Sequence, residues 1–181
     1  MYAGHFAAAI AMKAREPRVP TWVLLLGVGV LDVLFGVFVP LGIERATITP
    51  DQSPGFRLDF IDWSHSLTMA LVWSLVFGAL FVSRSRLVAA WAAAAVFSHF
   101  ALDLLMHPGD LALYPNGAAH LGFGLWALWP RGWWLFELAF ILVCSAWYVT
   151  RARRSGQFGG RPLAVVGVIV ALHLLNAPWR P

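Results

Sequence analysis

The stretch SHFALDLLMHPGD, residues 98–110, decides how the rest of the chain is interpreted. Folded as a helix, it places His99, Asp103 and His107 four residues apart, so their side chains follow one face and turn by roughly 40° at each step. The other faces of this helix are apolar and suit lipid or neighbouring helices better than water. Ionisable groups inside a membrane cost about 2.5 to 3.5 kcal/mol each, so this polar stripe (His99, Asp103 and His107) predicts a functional site.

The composition of the whole chain excludes an ordinary soluble domain. Of its 181 residues, 60% are hydrophobic and only 12% are charged, and the mean hydropathy is +0.71. Soluble domains carry about 25% charged residues. Because the apolar runs approach the 20 or so residues that cross a bilayer, we expect an all-α, polytopic helical membrane protein with a single integral membrane domain over residues 1–181.

The positive net charge does not indicate a nucleic-acid partner. The chain has a formal charge of +4 and a pI near 10, but its arginines lie in short loops between apolar runs, where they act as orientation signals. We therefore expect membrane lipid and a small-molecule or lipid substrate as partners, and no nucleic acid. The single Cys144 lies inside an apolar run and excludes an intrachain disulfide. The sequence leaves the oligomeric state open.

The apolar runs predict about five membrane crossings and two shorter helical segments. The crossings are expected at about 21–43, 62–82, 87–107, 132–150 and 162–177. Residues 2–14 are too short to cross a bilayer and predict an N-terminal half-helix, and a second half-helix is expected at 118–128 within a Gly- and Pro-rich loop. Residues 44–61 predict an extramembrane loop with a short interfacial piece around 56–61.

The charges of the loops predict the orientation of these crossings. Segments 13–18, 83–86 and 151–161 are strongly basic and carry Lys13, Arg15, Arg18, Arg84, Arg86, Arg151, Arg153, Arg154 and Arg161 against the acid Glu16. By the positive-inside rule they face the cytoplasm. Segments 44–61 and 108–131 face outward, because their arginines are balanced by acids; their charged residues are Glu44, Arg45, Asp51, Arg57, Asp59, Asp110 and Arg131.

The depth of each polar residue tests whether the intramembrane groups converge. At about 1.5 Å per helical residue from the cytoplasmic ends, Asp32 and His99 lie roughly 17 and 20 Å deep. Asp103 and His107 lie roughly 26 and 32 Å deep, and His65 enters from the outside. The predicted site therefore opens to the outer face and combines His65, His99, Asp103 and His107, with Asp32 at its floor and His5 rising to meet it.

The donor types in this site indicate a divalent metal. Histidine and carboxylate ligands without thiolates suit zinc, manganese or ferrous iron, and zinc is the usual choice for hydrolysis because it lowers the pKa of bound water to about 7. A carboxylate that is not a ligand can act as general base, and Asp103 and Asp110 are the candidates. His107 lies near the mouth and is a third catalytic candidate. The expected metal ligands are His5, Asp32, His65, His99, Asp103 and His107.

Other interpretations of the same residues stay open at this point. The polar stripe also suits the lining of an ion or proton path in a transporter or channel, and broken helices at 2–14 and 118–128 are typical of transporters. A non-catalytic scaffold or sensor subunit is a further alternative. Asp32 can equally pair with an arginine or a backbone group, whereas His173 fits a hydrogen-bonded core residue and Glu137 a residue that supports the ligands.

Four short motifs, taken in order, resemble a known family. Gly4-His5, Leu31-Asp32, Ser64-His65-Ser66, and Ser98-His99 with Asp103 four residues on are similar to the bacterial membrane-bound metal-dependent hydrolases, also described as LexA-binding, inner-membrane-associated hydrolases. The segments HPGDLALYP and HLGFGLW, which begin at His107 and His120, resemble a subgroup and add His107 and Asp110 to the matching positions. Unlike better-known members, this chain has no histidine directly after Asp32.

The resemblance implies a location, a cofactor and a reaction. A member of this family is expected in the bacterial inner membrane, as a multi-pass protein whose site faces outside. It is expected to bind a divalent metal and to hydrolyse an ester, amide or phosphoester bond. The predicted depth of the site points to a lipid or lipid-linked substrate.

Overall fold

The structure, a computed structural model, is mostly helical, as the sequence predicts. It describes residues 1–49, 56–129, 132–156 and 159–177, so Asp51 and Arg131 of the loop-charge argument lie outside the described residues. The helices are, in chain order, α1 (Tyr2–Arg15), α2 (Thr21–Gly27), α3 (Val30–Phe38), α4 (Asp62–His65), α5 (Leu67–Ala79), α6 (Arg86–Met106), α7 (Leu125–Leu128), α8 (Gly132–Arg154) and α9 (Gly160–Leu175).

Two antiparallel pairs of short strands depart from the expected all-α class. In place of the predicted 44–61 loop, β1 (Arg45–Ile48) pairs with β2 (Phe56–Phe60). Both strands are rich in β-branched or aromatic residues, which favour a pleated ribbon, and Asp59 on β2 ties them together by accepting a hydrogen bond from Thr47 on β1. The second pair is β3 (Leu111–Ala112) with β4 (His120–Leu121).

The half-helix predicted at 118–128 is wrong except for its last turn, α7. Two glycines explain the difference, because Gly122 and Gly124 adopt positive φ angles of 145° and 72°, which end any helix approaching from the N-terminal side. This backbone passes so close to the end of α6 that a Cβ on Gly122 would lie 2.2 Å from the carbonyl oxygen of His107. The same loop caps α6, since Gly124 donates its N–H to that carbonyl at 2.8 Å.

Two of the predicted crossings are interrupted near their polar residues. The crossing predicted at 21–43 consists of α2 and α3, which meet at a bend of 43°. The crossing predicted at 62–82 consists of α4 and α5, with an extended residue, Ser66, between them. Ser66 then caps α5 by accepting a hydrogen bond from the N–H of Met69. Both interruptions lie next to candidate ligands, Asp32 in α3 and His65 in α4.

Among the described helices, α6 and α8 are each long and apolar enough to span a membrane. The bent pair of α2 and α3 passes the same test if it is taken as one span, which makes three. Helices α5 and α9 are apolar but shorter, with 13 and 16 residues. The described helices therefore support membrane association with two or three clear spans.

Helix α1 lies among four other helices rather than at the edge of the fold. It packs against α8, α9, α2 and α6. Its alanine-rich side, which includes Ala3, Ala7 and Ala14, is buried against Ile141 of α8 and Ile169 of α9. Small side chains let helices approach closely, so this short helix fits among its four neighbours. The side chain of His5 is consequently held in the interior of the protein.

Candidate metal centre

Helix α6 supplies the polar stripe in the geometry expected from its spacing. His99 Nε2 lies 3.0 Å from Asp103 Oδ2, and all three side chains of the stripe are buried. His107 Nε2 is farther from the same oxygen, at 3.9 Å. The helix itself ends at Met106, and His107 is its C-cap residue with an extended backbone. His99 and Asp103 thus form the fixed part of the stripe, and His107 stands at its end.

Helix α1 brings His5 onto this pair. His5 Nε2 lies 3.1 Å from Asp103 Oδ1, and the His5 ring stacks on the His99 ring with centroids 3.7 Å apart and an angle of 6° between planes. The amino group of Met1 also contacts Asp103 Oδ1, at 3.3 Å. Both oxygens of Asp103 are therefore engaged, and this carboxylate is the centre of the arrangement.

Helices α3 and α4 complete the group from the other side. His65 Nε2 lies 3.3 Å from His99 Nε2, while Asp32 Oδ1 lies 3.8 Å from the former and 3.7 Å from the latter. Four ligands placed about 2.1 Å from one ion are separated by roughly 3.4 Å, so these spacings suit donors that share a metal. We call His5, Asp32, His65, His99 and Asp103 the His/Asp cluster.

The cluster contains two overlapping sets of donors that could hold a metal ion. One set is His5, His99 and Asp103, and the other is Asp32, His65 and His99. Within each set the ligand atoms lie within 4.8 Å of one another. The buried atom Nδ1 of His5 has no hydrogen-bond partner among the described residues. Two carboxylates and three imidazoles supply the oxygen and nitrogen donors that a divalent cation takes.

A freed backbone carbonyl fixes the tautomer of His99. Its Nδ1 lies 2.6 Å from the carbonyl oxygen of Val28, which belongs to the interruption between α2 and α3. A carbonyl only accepts, so Nδ1 carries the hydrogen and Nε2 is directed at the cluster. Such an outer hydrogen bond orients a ligating imidazole and raises its basicity. The break between α2 and α3 thus supplies the carbonyl that orients His99.

A chain of hydrogen bonds through Ser64 and Glu44 fixes the tautomer of His65. Ser64 Oγ lies 2.6 Å from His65 Nδ1 and 2.7 Å from Glu44 Oε2. The single hydroxyl hydrogen goes to the carboxylate, so Ser64 accepts from His65 Nδ1 and leaves Nε2 facing the cluster. Glu44 is only 1% exposed, and this burial raises the pKa of its carboxyl. The hydrogen bonds that Ser64 donates favour the charged form and oppose the rise, but they are the smaller effect.

Glu44 is a site residue that sequence reasoning missed. From the sequence, Glu44 is an acid of the outward-facing segment 44–61, because nothing in its spacing links it to Ser64, 20 residues away. It lies between the end of the α3 region and β1, and pairing of β1 with β2 brings it back to α4. The sequence feature that marks Glu44 is its place as an acid between an apolar run and a strand.

Asp110 lies outside the cluster but holds His107. Its Oδ1 lies 2.8 Å from His107 Nδ1, which leaves His107 Nε2 on the side of Asp103. The His107 ring also lies against Trp126, with centroids 4.6 Å apart. A carboxylate that orients an imidazole in this way suits proton transfer at the other ring nitrogen.

A cavity of about 200 Å³ adjoins the cluster. One wall is polar and includes His5, Asp32, His65, Asp103 and His107. The rest of the lining is largely apolar and includes Phe35, Leu58 and Trp126. The Asp32 side chain is 44% exposed, whereas those of its cluster partners are buried, so the cavity opens beside α3.

Comparison of the chain with protein-family models, curated proteins and solved structures found no match. The resemblance to membrane-bound metal-dependent hydrolases therefore stays a prediction.

The remaining histidines and Glu137 lie away from the cluster. His120 is exposed on β4. His173 is fully buried in α9, with Nδ1 3.5 Å from Glu137 Oε2 and its ring stacked on Trp134. Glu137 also accepts a hydrogen bond from the N–H of Gly4 at 2.7 Å. These contacts fasten α1 to α8 and α9, so Glu137 supports the position of His5 indirectly.

Proposed function

We propose that this protein is a membrane-embedded, metal-dependent hydrolase with a zinc ion held by the His/Asp cluster. The observation that carries the proposal is the spacing of the donors. Three of them, on Asp32, His65 and His99, lie 3.3 to 3.8 Å apart, and His5 and Asp103 approach from the opposite side. Outer hydrogen bonds that His99 and His65 donate to the Val28 carbonyl and the Ser64 hydroxyl set the two histidine tautomers for ligation.

The two or three helical spans support a membrane protein, and the family resemblance leads us to propose the bacterial inner membrane as its location. We propose about five crossings, formed by the α2–α3 pair, the α4–α5 pair, α6, α8 and α9. The basic residues of the loops then face the cytoplasm, and the cluster opens toward the outer face. The short helix α1 does not cross, because its 14 residues extend only about 21 Å.

The proposed chemistry separates metal ligands from a proton carrier. A bound zinc ion would supply Lewis acidity and a water of lowered pKa. Asp103 has both oxygens directed at cluster donors, and this favours a ligand role. Asp110 holds His107 Nδ1, so His107 Nε2 is the atom placed to accept and return a proton in the cavity. His107 and Asp110 thus act as the general acid–base pair.

The cavity supports a lipid or lipid-linked ester or phosphoester as the substrate. Its largely apolar wall suits acyl or isoprenoid chains, and its polar wall carries the reacting groups. Exposed apolar side chains lie near Asp32: Tyr2, 52% exposed, lines the cavity, and Val33, 66% exposed, follows Asp32 along α3. A substrate diffusing in the bilayer can reach the cluster from this side.

Metal analysis of the purified protein tests the proposal most directly. Protein purified without added metal should contain zinc or another divalent transition metal, and His99→Ala and Asp103→Ala should lose it. His120→Ala is the matched control, since His120 is exposed and outside the cluster. Turnover of a panel of lipid esters and phosphoesters should then depend on the retained metal. A wild-type protein without any transition metal would rule the proposal out.

A transporter is the second candidate, favoured by the interrupted helix beside Asp32. Broken helices near the bilayer midplane are typical of transport sites, and α2 and α3 meet at 43° where Val28 contacts His99. Reconstitution in liposomes separates the two functions. Metal or proton flux that requires Asp32, without turnover of any ester, would favour the transporter.

A further inference from the structure

A second cavity, of about 160 Å³, lies at the other end of α1 from His5. It is formed where the C-terminal ends of α1 and α8 meet the beginning of α9. Its polar lining consists of the cations Lys13, Arg151 and Arg154 and the hydroxyl-bearing residues Tyr148 and Ser155. A single water molecule needs a cavity volume of only roughly 10 to 15 Å³, so this basic cavity has room for a larger polar group.

Two of the cations are held in place by backbone carbonyls at the end of α1 and in the segment that follows it. Lys13 Nζ donates to the carbonyl oxygens of Pro17 and Val19 at 2.7 and 2.9 Å, and the third ammonium hydrogen is left for a ligand. Arg151 Nε donates to the carbonyl of Ala14 at 3.2 Å, and this leaves the terminal nitrogens of the guanidinium. Burial lowers the pKa of Lys13, as expected of an ammonium that has lost part of its hydration.

No carboxylate balances these charges at the cavity wall. Among the described lining residues none is acidic. Glu16, the nearest acid along the chain, is bound by Arg18 with contacts of 2.8 and 2.9 Å, which lower its pKa to about 2. The beginning of α9, a helix of 16 residues whose Pro162 lines the cavity, adds the partial positive charge of a helix N-terminus. The cavity wall therefore carries a net positive charge, and the charge of Glu16 acts on Lys13 only from outside the lining.

We propose that the basic cavity binds the phosphate group of an anionic membrane lipid. Arginine and lysine match phosphate oxygens, and basic pockets between helix ends are placed where lipid headgroups lie. Nonpolar lining from Ala14, Pro17 and Ala152 suits the glycerol part of such a headgroup. This proposal concerns a site separate from the His/Asp cluster and holds whether or not the protein hydrolyses esters.

Arg84 and Arg86 supply the matched comparison. They belong to the same predicted cytoplasmic side but do not line the cavity. If the basic residues served only to orient the chain, all of them would attract anionic lipid alike. A built site instead makes lipid affinity depend on Lys13 and Arg154 and not on Arg84.

Lipid titration of the purified protein tests the proposal. In mixed micelles at about 0.15 M salt, phosphatidylglycerol should bind and raise the unfolding midpoint, and phosphatidylcholine should not. Arg154→Gln should weaken this binding about tenfold, as expected for loss of one charge-assisted contact, whereas Arg84→Gln should change it by less than about twofold. Lys13→Gln should act like Arg154→Gln. Since Arg154 is an exposed residue, its variant should fold even if the Lys13 variant does not.

Two results would overturn the proposal. Equal loss of phosphatidylglycerol binding in Arg84→Gln and Arg154→Gln would reduce the effect to general surface charge. Equal stabilisation by inorganic phosphate alone, with no gain from phosphatidylglycerol, would make the cavity a site for free phosphate and remove the lipid from the assignment.

Discussion

The carboxylate of Glu44 binds Ser64 twice, through the backbone N–H at 2.7 Å and through the hydroxyl at 2.7 Å. Because the same hydroxyl lies 2.6 Å from His65 Nδ1, a residue before the hairpin determines how a histidine of the cluster is oriented. The hairpin of β1 and β2 is thus part of the site although none of its side chains belongs to the cluster.

Replacing Ser64 by alanine should weaken metal binding by about 10- to 100-fold, because loss of an outer partner of a ligating histidine has this effect. It also leaves the buried Glu44 carboxylate without its hydroxyl donor, so a loss of about 1 to 3 kcal/mol in stability is expected. The metal dissociation constant is measured by competition with a chelator. Ser98→Ala is the control, since the Ser98 hydroxyl donates to the carbonyl of Ala95 in its own helix. Equal affinities in both variants would contradict the orienting role of Ser64.

Removing the metal should lower the stability of the wild-type protein and leave His99→Ala unaffected. A ligand that binds only the folded state stabilises it by about 2.7 kcal/mol at a free concentration 100 times the dissociation constant. Thermal unfolding with and without a chelator, followed by readdition of zinc, measures this difference. A chelator effect of the same size in His99→Ala would place the responsible metal outside the cluster.

Asp110→Asn should reduce kcat by about 10²- to 10⁴-fold, the usual contribution of a positioned acid–base group, while leaving the metal content unchanged. The reason is that Asp110 contacts His107 and none of the cluster residues. Steady-state kinetics on the best substrate of the ester panel, together with metal analysis, gives both quantities. Loss of the metal along with activity would show that Asp110 helps to hold the ion.

Gly78→Ala should destabilise the protein by about 1 to 3 kcal/mol, because its Cβ would lie 2.9 Å from the carbonyl of Ala89 and 3.0 Å from Cβ of Ala93 on α6. Gly36→Ala is the matched control, since a Cβ at Gly36 meets nothing within 4 Å among the described residues. Replacing a helical glycine in open space should instead stabilise by about 0.5 to 1 kcal/mol. Chemical unfolding of both variants compares the two, and equal stabilities would show that α5 and α6 pack less closely than in the structure.

Local periodicity was enough to predict the parts of the site that lie on one helix. Because His99 and Asp103 are four residues apart on α6, their side chains are adjacent whatever the tertiary structure, and their 3.0 Å contact follows from this spacing. Depth along apolar runs also placed Asp32 close to the level of His99 and brought His65 in from the outer face, and the structure brings both to His99. These arguments needed only helical rise and the sign of the loop charges.

The parts that depend on tertiary contacts were not accessible in this way. The hydroxyl that orients His65 belongs to Ser64 and is itself held by Glu44, whose position is set by strand pairing. His99 is oriented by a backbone carbonyl at a helix break. The predicted half-helix at 118–128 failed because Gly122 presses against the end of α6, a constraint that appears only when both segments are in place. Hydropathy likewise overestimated helix continuity at Ser66, where the side chain caps a new helix.

The enclosure of α1 has a consequence for how the protein is made. This helix is synthesised before α8, yet its Gly4 N–H is bound by Glu137, 133 residues later, and its Ala14 carbonyl by Arg151, 137 residues later. Folding domain by domain during synthesis cannot complete such contacts early. The contacts that hold α1, and with it His5, in place are therefore complete only once α8 has been made, so a chain truncated before α8 should bind metal less tightly than the full chain.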